Sequence, residues 1–111
     1  MVRHFGVFKF RETISGEQIA ECFRIMKDMV GKIDGLLDME HGPYNGNEGL
    51  NEDFTHGFVM TFTSPEARDA YLPHPIHEKA KEFVVPKLER VIVFDIDLPE
   101  REFTKQIQTS K

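Results

Sequence analysis

At 111 residues, with 40% hydrophobic residues and a formal charge of −5, the chain has the size and composition of one small domain. Acidic and basic residues are interspersed and form no basic stripe, so nucleic acid is not expected as a partner. Cys22 is the only cysteine, which excludes an intrachain disulfide. The apolar runs are too short to cross a bilayer and no leader-like run opens the chain, so we expect a cytoplasmic protein.

The first part of the chain predicts a strand, a helix and a weaker strand. Side chains alternate over residues 2–10, which is typical of a strand. Ser15 is a good N-cap and Gln18 completes a capping box, so a helix should follow. Its apolar stripe is predicted to contain Ile19, Cys22, Phe23, Met26, Val30 and Ile33. Gly31 and Gly35 suit the end of this helix, and residues 36–41 predict the weaker strand.

The second part predicts a loop, a clear strand, two short helices and a final strand. Ser64 as N-cap and Pro65 at the first helical position start the first of these helices. It should end near Leu72, because Pro73 restricts the residue before it. The predicted elements are a loop over 42–53, a strand over 54–63, a helix from 64 to about 72, a helical piece from 75 toward 84, and a strand over 90–97. We expect the polar tail, 98–111, to be loose or to dock on a partner.

The order β-α-β-β-α-β predicts an α+β, ferredoxin-like fold for a single domain spanning residues 2–97. In this fold the helices cover only one face of the sheet. The other face would expose Phe5, Val7, Val59, Ile92, Phe94 and Ile96. So much exposed apolar surface is unusual on a monomer. We therefore predict a homodimer whose two sheets form a barrel-like core.

The segment from Tyr71 to His77 places several proton-transferring side chains within seven residues, Tyr-Leu-Pro-His-Pro-Ile-His. Pro75 follows His74 at a predicted helix start, where a missing N–H costs nothing. His77 then lies in the first turn, near the positive end of the helix dipole, which tends to keep an imidazole neutral. A neutral histidine beside a tyrosine hydroxyl suits acid–base chemistry. The alternative is that the segment only caps a helix and packs at a bend.

Strand alternation adds three more titratable residues to the same region. His4 shares a face with Phe8, and His56 shares a face with Phe58 and Met60, whereas Asp95 lies on the face of Val91 and Val93. If these faces point toward the helices, the side chains meet in a pocket with those of Tyr71 and His77. A buried aspartate is costly without a partner, and a histidine is the expected one. The alternative is a hydrogen-bonded core histidine on each strand.

A metal site is a competing use of the histidines. His74 and His77 are three residues apart, which one helical face could present to a metal. His74 is expected at the N-cap, however, and no cysteine or acidic residue lies at a familiar ligand spacing. No phosphate-binding glycine motif is present, and Cys22 lies on an apolar helical stripe that does not favour a reactive thiolate.

Four stretches resemble the stress-responsive α/β barrel domain, the Dabb family. They are Val-Arg-His-Phe-Gly-Val-Phe-Lys-Phe, Glu-Gly-Leu-Asn-Glu-Asp-Phe-Thr-His-Gly-Phe-Val-Met-Thr-Phe, Tyr-Leu-Pro-His-Pro-Ile-His and Val-Ile-Val-Phe-Asp-Ile. The resemblance covers residues 2–97, and the Thr-His strand combined with His-Pro-x-His is quite specific. It implies dimers of ferredoxin-like subunits whose sheets form a barrel. Known members include boiling-stable, heat-stable plant proteins and a plant polyketide cyclase that uses no cofactor.

The resemblance also implies roles for individual residues. The catalytic pair of the cyclase corresponds to Tyr71 and His77, with His77 removing a proton beside a carbonyl and Tyr71 binding the carbonyl oxygen. Residues expected to contact the ligand are His4, His56, Asp95, Phe8, Phe23, Phe58 and Met60. Some members bind a divalent cation through backbone carbonyls that correspond to those of Val30, Ile33 and Leu36.

Two functions from different classes remain open. The first is a cofactor-free cyclase, lyase or isomerase acting on a small carbonyl or polyketide-like compound, with a hydrophobic or aromatic ligand in the pocket. The second is a non-catalytic, stress-responsive structural or ligand-binding dimer in which the same residues brace helix ends. The pocket residues favour the first, and a cavity beside His77 is the feature that would support it.

Overall fold

The computed structural model describes residues 1–99 and has four strands and three helices. In chain order the elements are β1 (Val2–Phe10), α1 (Gly16–Lys27), β2 (Leu36–Pro43), β3 (His56–Phe62), α2 (Pro65–Tyr71), α3 (Pro75–Val84), a 3-10 turn (Val85–Lys87) and β4 (Leu88–Asp97). Within residues 1–99, every helix is too short or too polar to cross a membrane.

The four strands form one antiparallel sheet in the order β2-β3-β1-β4. Helix α1 connects β1 to β2, and the pair α2 and α3 connects β3 to β4. The predicted ferredoxin-like α+β fold is thereby confirmed. Its register sets His4 opposite Met60 on β3 and opposite Asp95 on β4, so these three side chains lie on one face.

That face packs against the helices and forms the core. Its buried side chains include Val2, Phe8, Phe10, Phe58, Met60 and Phe62. Helix α1 contributes Cys22, Phe23 and Met26, whose spacing places them on one side of the helix. The helix begins with the predicted capping box, in which the Ser15 hydroxyl accepts from the Gln18 N–H and the Gln18 side chain accepts from the Ser15 N–H.

Helix α1 is shorter than the sequence predicted. It ends at Lys27, and the chain then makes a series of turns before β2. The amides of Val30 and Ile33 bond to carbonyls three and four residues earlier, so these turns keep a helix-like spacing. Ile33 is therefore buried at the predicted position although it lies outside the helix. Gly31, one of the two glycines predicted at the end of this helix, has a φ of 89°, a left-handed conformation typical of the end of a helical segment.

The other boundaries differ by a few residues. Strand β2 runs two residues past the predicted end, to Pro43, and β4 starts two residues early, at Leu88. Strand β3 is shorter than predicted because Phe54 and Thr55 bond to Asn51 and Phe8 outside the ladder. The described strands run from Val2 to Asp97, and the domain bounds of 2–97 stay a prediction. Most of the predicted tail, residues 100–111, lies outside the described residues.

The second face of the sheet is open, as the one-sided helix layer predicted. Phe5 and Val7 on β1 are 37% and 36% exposed, and Ile92 and Phe94 on β4 are 52% and 66% exposed. Val59 and Ile96, which were predicted on the same face, are half-buried. The central part of this face is thus a continuous apolar surface on the subunit.

Candidate functional site

A cavity of about 300 Å³ lies between α3 and the helix-side face of β1 and β4. Its titratable lining residues are His4, Tyr71, His77 and Lys81. The remaining lining is apolar and includes Phe8, Met26, Phe58, Val84, Val91 and Val93. This volume is at the lower end of the range for small-molecule sites. The arrangement of a few polar groups in an apolar chamber is typical of a ligand site.

The bend between α2 and α3 positions the two central side chains. Tyr71 is the last residue of α2, and His77 lies in the first turn of α3. His74 is the N-cap of α3, where its Nδ1 accepts a 3.1 Å hydrogen bond from the Ile76 N–H. Pro75 follows at the first helical position, as predicted. The ring nitrogen that His74 uses as a cap cannot also ligate a metal in this arrangement.

His77 is held as a neutral imidazole with a defined tautomer. Its Nδ1 lies 3.0 Å from the Leu72 carbonyl oxygen, which can only accept, so Nδ1 carries the proton. Nε2 is then the basic nitrogen. Burial lowers the pKa of His77 below the ordinary value, which favours the neutral form. The sequence predicted a neutral His77 from the helix dipole, whereas the structure assigns the effect first to burial.

Tyr71 is a buried phenol in contact with His77. The two rings stack with centroids 4.0 Å apart, and Tyr71 is only 2% exposed. Burial raises the pKa of Tyr71 well above its usual range, and the negative charge of Asp95 adds to the rise. The hydroxyl therefore keeps its proton at neutral pH and can donate a hydrogen bond to an oxygen in the cavity.

His4 is oriented by a hydrogen bond to Asp95, which in turn contacts Arg68. Its Nδ1 lies 2.5 Å from Asp95 Oδ1, and the other oxygen of Asp95 accepts a hydrogen bond from Arg68. The histidine partner of Asp95 was predicted; Arg68 was not. The available signal was its spacing, because Arg68 lies three residues before Tyr71 on α2 and so shares its side of the helix.

His56 belongs to a different cluster at the other end of β1. Its ring lies 5.4 Å from that of Phe10 and 5.9 Å from that of Phe23, which stacks on His41 at 4.4 Å. Burial lowers the pKa of His56, and the nearby His41 adds to this effect. His56 Nδ1 also lies 2.9 Å from the Thr55 hydroxyl. The structure therefore does not bring His56 into the cavity with His77.

The remaining predicted ligand contacts divide between the cavity and the core. Phe8 and Phe58 line the cavity, whereas Phe23 and Met60 are buried beside it. Asp95 reaches the cavity only through His4. Lining residues that were not predicted from the sequence include Lys81 and Val84. Their helical spacing places them near His77 on α3, but it does not show where the core leaves space.

The predicted backbone cation site falls at the turns after α1. Val30 and Ile33 lie in these turns, and Leu36 begins β2. The Ile33 carbonyl accepts a hydrogen bond from the Leu36 amide at 3.2 Å. Cation binding by these three carbonyls stays a prediction. Among residues 1–99, no group of three or more His, Cys, Asp or Glu side chains is arranged to hold a metal ion.

Comparisons with known proteins identify relatives of this chain. Two relatives each align over 94 residues, or 85% of this chain. The stress-response A/B barrel domain-containing protein HS1 of Arabidopsis thaliana is 30% identical and aligned over 86% of its own length. Olivetolic acid cyclase of Cannabis sativa is 29% identical and aligned over 93%.

The similarity extends to solved structures. A dimeric ferredoxin-like protein of unknown function from Jannaschia sp. CCS1 superposes with a TM-score of 0.78 at 27% identity, covering 87% of this chain and 98% of that one. The family model described as the stress responsive A/B barrel domain matches residues 2–98. The chain therefore belongs to the stress-responsive α/β barrel domain family.

Proposed function

We propose that the chain binds a small carbonyl compound in the cavity and moves a proton at the carbon next to the carbonyl, without a cofactor. The observation that supports this most directly is the pairing of a phenol donor, Tyr71, with a neutral imidazole, His77, in one apolar chamber. Donor and base are the two groups that enolisation requires. The reaction class is that of a cyclase, lyase or isomerase.

In the proposed mechanism the substrate carbonyl oxygen accepts a hydrogen bond from the Tyr71 hydroxyl. His77 Nε2 removes a proton from the adjacent carbon, and the electron pair of that C–H bond forms the enolate. The negative charge that develops on the oxygen is stabilised by Tyr71 in a low-dielectric site. The enolate carbon then attacks a second carbonyl of the same molecule, whose oxygen takes the proton from His77 to become a hydroxyl, or the enolate takes that proton back at another position.

The tautomer of His77 supports this assignment of roles. Because Nδ1–H donates to the Leu72 carbonyl, the ring cannot turn its protonated nitrogen to the substrate without losing that bond. The carbonyl also stabilises the imidazolium that forms after proton abstraction, since a hydrogen bond to a charged donor is stronger. His4, fixed by Asp95, supplies a second polar group to the same chamber.

The relative olivetolic acid cyclase makes the cyclase type the first choice among the three classes. Here Met26, Phe8 and Phe58 shape the chamber, and its apolar lining favours a hydrophobic or aromatic compound. A polyketide-like substrate satisfies this chemistry because it carries two carbonyls in one chain.

The second candidate is a non-catalytic, stress-responsive dimer that binds a ligand or only holds its shape. The observation in its favour is that His74 and His77 both make bonds that brace the start of α3. Replacing His77 by alanine therefore lowers stability under either function, by about 1 kcal/mol for a lost hydrogen bond. That variant alone does not separate the two candidates.

His77→Gln separates them. Glutamine retains an uncharged N–H donor for the Leu72 carbonyl but has no basic nitrogen. We expect its melting temperature to stay near that of the wild type, while proton exchange at the carbon beside the carbonyl of an aryl methyl ketone in D2O, followed by NMR, falls by roughly 10²-fold or more. Tyr71→Phe should lower the same rate through loss of the donor.

A matched control is His41→Gln, which changes an exposed histidine outside the cavity. It should leave the exchange rate at the wild-type value. If folded wild-type protein does not accelerate the exchange above the rate in buffer without protein, the catalytic proposal is contradicted. The non-catalytic candidate would then be the better one.

A further inference from the structure

We propose that the ligand of this cavity carries a carboxylate, or another small anion, that Lys81 binds at the cavity mouth. The inference rests on the proposed function, because it places the reacting carbonyl at Tyr71 and His77. It adds the charge of the substrate and the residue that selects it.

Lys81 is one helical turn beyond His77 on the same side of α3. Residues four apart on a helix lie about 5–6 Å from each other at Cβ, and both of these side chains line the cavity. The positive charge of Lys81 is felt at His77, where it adds to burial in keeping the pKa low. The two side chains could therefore contact neighbouring parts of one bound molecule.

Lys81 can determine ligand specificity because the rest of the cavity lining, among residues 1–99, carries no comparable charge. Within the described residues, Lys81 is the one Lys, Arg, Asp or Glu that lines this cavity. Its Nζ lies 2.7 Å from Glu78 Oε1, and Glu78 is not part of the lining. The ammonium group is thus held at the mouth by a carboxylate outside it. A ligand anion would share or replace that carboxylate and form the same type of charge-assisted bond.

The spacing defines a class of substrate. His77 and Lys81 are about one turn of α3 apart. A carbonyl beside His77 and an anion bound by Lys81 would therefore be separated by a distance that three or four covalent bonds span. The apolar remainder of the molecule would lie against Val84 and Val91. The expected ligand is an oxo acid with a hydrophobic or aromatic group, and a neutral ketone of the same shape should bind less tightly.

The test compares 3-benzoylpropionate with its primary amide, which has nearly the same shape and no charge. Binding is measured by calorimetry and by the NMR shifts of His77. We expect the acid to bind the wild type more tightly than the amide. Lys81→Met should weaken the acid about threefold to tenfold and leave the amide unchanged. Glu78→Gln, which frees the ammonium group, should tighten the acid about twofold.

Lys79→Met is the matched control. Lys79 lies two residues before Lys81 on α3 and does not line this cavity, so neither probe should change in affinity. Equal binding of acid and amide by the wild type, or an equal loss of both in Lys81→Met, would overturn the anion proposal while leaving the cavity and its acid–base pair in place. No binding of either probe, with no shift at His77, would overturn both proposals.

Discussion

Three histidines of this chain differ in their hydrogen bonding, because their Nδ1 atoms contact different partners. In His74 this atom accepts from an amide N–H, in His77 it faces a carbonyl, and in His4 it faces the carboxylate of Asp95. A carbonyl or carboxylate partner places the proton on Nδ1 and leaves Nε2 as the free acceptor. His4 and His77 are also the two histidines among the cavity lining, so both can present a basic nitrogen to a ligand.

Much of this residue-level chemistry could be predicted from the sequence. The proximity of Tyr71 to His77 follows from the two prolines between them, and strand alternation pairs His4 with Asp95. The spacing on α2 places Arg68 on the side of Tyr71, but its bond to Asp95 depends on how α2 lies across the sheet, which the spacing does not give. The separate position of His56 was missed for a related reason, since alternation gives the face of a strand but not which end of the sheet lies over the cavity.

The lowered pKa of His77 predicts a loss of stability in acid. The unfolded chain binds a proton at this residue near its ordinary value of 6.5, whereas the folded chain resists it to lower pH. Unfolding is therefore favoured as the pH falls below about 6.5, and the effect levels off below the folded pKa. We expect His77→Gln to show a shallower decline of melting temperature between about pH 7 and about pH 5 than the wild type.

The pKa of His56 is also lowered, so this residue provides a second test. His56→Gln should remove the part of the melting-temperature decline that is due to His56. A decline that stays unchanged in both variants would show that neither histidine controls acid stability.

The pH dependence of the proposed reaction follows from the same shift. Above the lowered pKa of His77 the imidazole is unprotonated and can act as the base, so the ketone exchange rate should rise with pH and then remain constant.

At the level of elements, the helices and strands were predictable because their spacing patterns are strong. The end of α1 was not. Apolar residues at Met26, Met29 and Ile33 keep a helical spacing through the turns that follow Lys27, and all three are buried. A periodic pattern shows which side of a segment is buried. It is the same for an α-helix and for a series of turns with similar hydrogen bonds, so it does not locate the end of the helix. The cavity was inferable only as a cluster of polar groups, since its volume depends on how far α3 lies from β4.

The packing of β1 against β3 depends on a glycine beneath an aromatic ring. Gly6 lies opposite Phe58, and a Cβ built on Gly6 would lie 2.1 Å from Cε2 of that ring. Gly6→Ala should therefore force Phe58 toward the cavity and lower the free energy of unfolding by about 1–3 kcal/mol. Urea unfolding measures the loss, and weaker binding of 3-benzoylpropionate should accompany it.

Gly42→Ala is the control for this change, since a Cβ there has no neighbour within 4 Å. It replaces a strand glycine with alanine without a clash, so its stability should stay close to that of the wild type or rise slightly. Equal stability of the two variants would mean that Phe58 can move at little cost.

For the whole molecule, the open apolar face of the sheet predicts self-association. Phe94 is the most exposed of its side chains, and structural neighbours of this chain are dimeric. We expect the wild type to sediment as a dimer and Phe94→Asp to sediment as a folded monomer, because a carboxylate buried between two sheets would lack a partner.

Ala20→Asp adds the same charge to an exposed position on α1, on the opposite side of the sheet. This variant should remain dimeric. A wild type that sediments at the mass of one subunit, or a Phe94→Asp protein that stays paired, would rule out this face as the interface.

Strand β4 belongs to two surfaces at once, because its side chains alternate. Val91 and Val93 form a wall of the cavity, while Ile92 and Phe94 lie on the open face. A second subunit that fixes the position of this edge strand would also fix the cavity wall. The two equilibria are thermodynamically linked. If dimerisation raises the affinity for the ligand by some factor, the bound ligand raises the affinity of the subunits for each other by the same factor. We therefore expect dilution to weaken ligand binding, so that the protein responds to its own abundance as well as to that of its ligand.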